Sequence, residues 1–124
     1  MGIASLPFAF DGKCADIANT AGMSQEGIDL DDYASSPHLK NNNTGDCLTI
    51  HFDSKPDKLT YDIKGNSFSG GTFTVQESAD GETYTTIATY AELEEKVSEE
   101  KELESTSRYV KFIYTEKVNG NVAL

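Results

Sequence analysis

A chain of 124 residues is long enough for one domain around one hydrophobic core, burying roughly 65% of the surface its unfolded form exposes with no need of a metal or disulfide staple. Ten Lys and Arg against 21 Asp and Glu give a formal net charge of −11, which repels phosphate backbones and anionic headgroups and leaves no basic stripe for nucleic acid. No apolar run approaches a bilayer span, so membrane insertion is not expected, and MGIASLPFAF lacks the charged start and apolar centre of a signal peptide.

The chain opens with a short predicted strand at Leu6 to Phe10. The rest of the first forty-five residues is rich in Gly, Asn, Asp and Ser and reads as a long ordered excursion with one helical turn at Ala15 to Asn19. Excursions of this length carry function or cap a core. Cys14 lies within it and Cys47 opens the next strand; the pair admits one bridge or two free thiols, and no Cys-x-x-Cys or Cys/His spacing suits zinc.

From Cys47 onward the pattern is a succession of strands. Leu48, Ile50 and Phe52 alternate with polar neighbours, as do Leu59, Tyr61 and Ile63, then Phe73 and Val75, and each set predicts a half-buried strand. Turns are expected at SKPD (54–57), GNSFSGG (65–71) and ADGE (79–82), where Asp80-Gly81 supplies a tight hairpin between FTVQES and TYTTIATY. The glutamate-rich run after Tyr90 reads as a helical turn at 91–97 followed by an extended Lys101 to Glu104. RYVKFIYT (108–115) is a strand covered on both faces, and GNVAL (120–124) closes the chain as a last strand that stops at an apolar residue, as if cut from a longer parent. Eleven residues form the expected core: Leu48, Ile50, Phe52, Leu59, Tyr61, Ile63, Phe73, Val75, Ile87, Val110 and Phe112. The fold class is all-β, a jelly-roll-like antiparallel sandwich of one domain over 1–124, with the N-terminal excursion folded over one end.

Catalytic motifs are missing from the sequence. His38 and His51 have no motif partner, Gly65-Asn66-Ser67-Phe68-Ser69 fails as a nucleophile elbow at its last position, and no phosphate loop occurs, so an enzyme is not expected. Hard oxygen donors for calcium are available in loop sequence at Asp11, Asp16, Asp29, Asp31 and Asp32, although not at EF-hand spacing. For ligand recognition the loop aromatics and amides stand out: Tyr33, His38, the Asn41 to Asn43 run, Asn66 and Phe68. Each also has a purely structural reading, with Phe68 plugging the sandwich end, Tyr33 covering the core and the Asn run forming a turn.

The stretches FTVQESADGETYTTIATY, SRYVKFIY and NGNVAL, with AFDGK at 9–13, resemble the galactose-binding-like jelly rolls of the discoidin or coagulation-factor type C superfamily. The string YDIKGNSFSGGTFTVQESADGETY (61–84) is similar to small β-sandwich accessory modules in secreted multidomain proteins of Bacteroidetes. That resemblance implies a non-catalytic module of a secreted, periplasmic or cell-surface bacterial protein, monomeric and packed beside neighbouring domains of its parent. It implies a glycan or cell-surface polysaccharide as ligand, for which Tyr33, His38, Asn66 and Phe68 are the candidate binding residues, and a structural calcium beside the early DG loop, for which Asp11 and Asp16 are the better pair of the loop carboxylates. The alternative is a structural spacer with no small-molecule ligand. Where the family's early loop continues to Thr-x-Trp, this chain has Cys14-Ala15-Asp16 and no tryptophan, so any aromatic platform must be Tyr or Phe.

Overall fold

The computed structural model describes residues 2–124. Its elements are a short helix α1 (Cys14–Ile17) and eight strands: β1 (Met23–Glu26), β2 (Lys40–Asn41), β3 (Cys47–His51), β4 (Lys58–Ser78), β5 (Thr85–Leu93), β6 (Val97–Glu102), β7 (Tyr109–Glu116) and β8 (Asn119–Ala123). All strand pairs are antiparallel, and the sheet curls into an all-β, sandwich-like fold.

The 21-residue β4 organises everything else. Along one edge it pairs with β5 over Phe68 to Glu77 and then with β6 over Lys58 to Ile63. Its remaining partners, β7 over Thr72 to Ser78 and β8 over Lys64 to Ser69, continue each other in the same way. The result is a three-stranded ribbon bent at its middle. One half is extended by β3 and β1 beyond β7, and the other by β2 beyond β8.

The expected turn at 65–71 is therefore a bend within one strand. Register shifts fall between Asn66 and Ser69 and between Ser69 and Phe73, and Ser67 and Gly70 take positive φ values of 61° and 76°. Glycine and a left-handed residue inside a strand mark bulges as readily as turns, and bulges let a long strand serve two layers. The helical turn expected at 91–97 is also replaced by strand: β5 runs to Leu93 and β6 starts at Val97. Helix propensity yields there because the segment lies along the free edge of β4, and its exposed charges suit an edge strand.

Residues 6–10 form no strand. Leu6, Phe8 and Phe10 are half-buried against the core and alternate with exposed Ser5, Pro7 and Ala9, but Pro7 has no N–H and the Leu6 N–H goes to the Asp53 carboxylate at 3.3 Å. Among the described residues the only ladder contact nearby is a single bridge between Ala4 and Phe52. The helical turn expected at 15–19 begins one residue earlier, its first N–H groups taken by Asp32 (to Cys14, 2.7 Å) and Asp16 (to Lys13, 2.9 Å).

One core joins both halves of the ribbon. Leu48, Phe52, Ile63, Phe73, Val75, Val110 and Phe112 are buried in it as expected, while Ile50, Leu59, Tyr61 and Ile87 pack against it half-buried. Tyr114, Phe68, Ile17 and Met23 belong to it as well. Cys14 and Cys47 are both buried and free, and burial pushes both thiols up from their ordinary range.

The ADGE hairpin is as expected, with Ser78 Oγ accepting from the Gly81 N–H and Asp80 Oδ1 accepting from Glu82 and Thr83. Those bonds to the charged form hold the Asp80 carboxyl below the usual range. Gly81 has φ 79°, and a Cβ there would lie 2.8 Å from the Tyr109 ring. Gly81→Val should lower the unfolding free energy by about 1 kcal/mol or more, measured by denaturant titration.

Candidate functional site

Where the two layers part, the N-terminal excursion leaves a cleft of about 620 Å³. Its apolar lining comes from Phe8 and Phe10 of the excursion, Leu48 and Ile50 of β3, Leu59 and Tyr61 of β4 and Phe112 of β7. Strand alternation accounts for the floor, since Leu48 faces Phe112 across the β3–β7 ladder, and Tyr61 meets Phe112 edge-on with ring centroids 5.3 Å apart.

The rim is polar, and its charged members are all carboxylates: Asp11, Asp62, Glu99 and Glu100. The β4–β6 register sets Tyr61 opposite Glu99 and Asp62 opposite Ser98. Ser98 donates to Asp62 at 2.7 Å, Ser36 donates to Asp11 at 2.8 Å, and Lys58 pairs with Glu100 at 3.3 Å. Tyr90 gives its hydroxyl proton to Glu99 at 2.8 Å, so the 2.8 Å contact between the two phenols must run from Tyr61 to Tyr90. Burial is the main cause that pushes both phenols up, and the relay stays protonated at neutral pH. Tyr61 is left with free lone pairs, and its ring is held by a fixed chain of hydrogen bonds.

The residues singled out from sequence divide among three places. Phe68 is not an exposed platform: it is 2% exposed and packs edge-on against Tyr114, because β4 carries it inward beyond the bulge. Tyr33 and Asn66, both half-buried, come together in a smaller cavity that shares Ser36 and Pro37 with the cleft. His38 lies within the excursion, its Nδ1 2.8 Å from the Tyr33 carbonyl and its Nε2 3.9 Å from Asp11. His51 stacks on Tyr109 at 4.1 Å. The Asn run is structural, since Asn41 is fully buried with Nδ2 donating to Val122, and the backbone N–H groups of Asn42 and Asn43 both donate to Asp46.

Asp11 and Asp16 are engaged separately, the first by Ser36 and the second by the backbone of Lys13. Among the described residues no group of three or more His, Cys, Asp or Glu side chains is arranged to hold a metal. Melting curves recorded in calcium and in chelator test this pair directly, since a metal stabilises only where the native state binds it: a higher Tm in calcium would show that the two carboxylates are recruited together, and coincident curves that they are not.

Phe8, Phe10, Tyr61, Asp62 and Glu99 were not apparent as site residues in the sequence. Tyr61 has the signature of a core position and Glu99 that of a solvated charge. Only the β4–β6 register brings them side by side.

No family model matches the chain, and no curated protein matches it.

Proposed function

We propose that this chain is a non-catalytic binding module whose ligand is a glycan held in the cleft between the layers. The observation that carries this reading is the division of the cleft into an aromatic and aliphatic floor and a hydrogen-bonded rim of carboxylates and hydroxyls. A sugar ring asks for that division, with C–H faces stacked on aromatic carbon and hydroxyls donating to fixed acceptors. A rim whose charged members are all carboxylates further selects neutral or amino sugars over uronate-rich polymers. Its place on a secreted or cell-surface parent is part of the same proposal and is supported by the sequence resemblance alone.

A glycan-array screen tests it. Retention of neutral or amino glycans that is lost in Tyr61→Leu and reduced by Glu99→Gln is the expected result. An array on which folded protein retains nothing would favour the spacer reading.

A further inference from the structure

The smaller cavity has a chemistry opposite to that of the cleft. It measures about 240 Å³ and is lined by Tyr33, Lys64, Asn66 and Ala123 together with Ser36 and Pro37 of the neighbouring loop, with no carboxylate in its wall. The phenolic oxygen of Tyr33 and the side-chain nitrogen of Asn66 are both buried with no hydrogen-bond partner. Buried polar groups in folded proteins are almost always satisfied, and leaving one unpaired is costly. Both residues line this one cavity, and an occupant that accepts hydrogen bonds would satisfy them where their side chains turn toward it, because an amide NH₂ can only donate and a phenol donates readily.

Charge narrows the class of occupant. β8 sets Ala123 between Lys40 and Lys64, so both lysines belong to this part of the sheet. Lys40 is already engaged, 3.3 Å from Asp31 and 4.7 Å from the centre of the Tyr33 ring. Lys64, in the cavity wall, has no ion-pair partner among the described residues, although the chain carries 21 acidic side chains. A cation left unpaired beside two unused donors is the arrangement that a carboxylate satisfies with charge-assisted hydrogen bonds.

We propose that this cavity is a carboxylate site, taking the acid group of a small organic acid or of a sugar acid, with Tyr33 and Asn66 donating hydrogen bonds and Lys64 supplying the counter-charge. The site adjoins the glycan cleft, sharing Ser36 and Pro37 with it, and selects the opposite charge.

Proton–nitrogen NMR of the full chain tests it, following the Asn66 side-chain amide during titration with sodium glucuronate, sodium acetate, glucose and sodium chloride at matched ionic strength. Glucuronate should move the Asn66 signal saturably, and glucose and chloride should not; acetate acting as well as glucuronate would show that the acid group alone is recognised, and acetate acting more weakly that the sugar adds contacts. Tyr33→Phe, which deletes only the hydroxyl, and Lys64→Gln should each weaken glucuronate binding about tenfold. Tyr33→Phe should also melt no lower than wild type, since it removes an unsatisfied buried group. Absence of any saturable shift with either acid, meaning a cavity that holds water only, would overturn the proposal. So would glucose acting as strongly as glucuronate, or wild-type affinity in both variants.

Discussion

Truncation of Phe73 to alanine is expected to lower the unfolding free energy by about 3 to 5 kcal/mol, the range for emptying a fully buried aromatic site. Phe73 is 0% exposed and sits on β4 opposite Tyr90 of β5 and Tyr114 of β7, with its ring 6.0 Å from that of Tyr114. Collapse into the gap is opposed from both edges, because each neighbour is fixed by a ladder to the same strand. Tyr114 is further held by its hydroxyl bond to the Gly120 carbonyl at 2.7 Å. Guanidinium titration of wild type and variant would measure the loss, and a midpoint close to wild type would mean that the phase of β4 is wrong.

The second large effect is expected at Gly65. It lies where the bent ribbon is most crowded, and a Cβ at this position would overlap the carbonyl of Leu93, the residue at which β5 ends before the crossing to β6. The obstruction is backbone, which cannot rotate away as a side chain can. Gly65→Ala should therefore cost toward the upper end of the roughly 1 to 3 kcal/mol typical of overpacking, and it should also loosen the β4–β6 arm that forms one wall of the cleft. Hydrogen exchange checks the second part, with faster exchange over Val97 to Glu102 than over β7 as the expected pattern.

These two positions also show what the sequence could and could not disclose. Phe73 was legible because strict alternation along FTVQES has only one inward phase, and the Asp80-Gly81 hairpin fixed its neighbour in β5. Gly65 was misleading, since GNSFSGG carries every local mark of a turn. Whether such a run turns the chain back or merely bends it depends on the partners available on either side, and those partners are β5, which meets Phe68 and Ser69 through Leu93 and Glu92, and β8, which meets Gly65, Asn66 and Ser69, both far along the chain from the run. The helical turn expected at 91–97 failed for the same reason, because local helix preference says nothing of the open edge of β4 that the segment would find, whereas the extended reading from Lys101 agrees with β6 as far as Glu102.

The cleft was less legible still. Its floor could be anticipated as core, but a concave site between layers arises only once the ribbon bends and the excursion returns across it, held by bonds such as Ser36 to Asp11 that no periodicity announces. Phe68 reads in the sequence as an aromatic in a loop, and the strand that replaces the loop turns it inward. Tyr33 and Asn66 do meet, in a separate cavity of opposite charge preference.

The most direct test of a glycan in the cleft is chemical-shift mapping on the folded chain with the strongest neutral or amino glycan from the array. Perturbations concentrated at Tyr61, Asp62, Ser98 and Glu99, and abolished for Tyr61→Leu, are the predicted result. Perturbations that leave those four residues unmoved, at a ligand concentration that saturates binding, would contradict it.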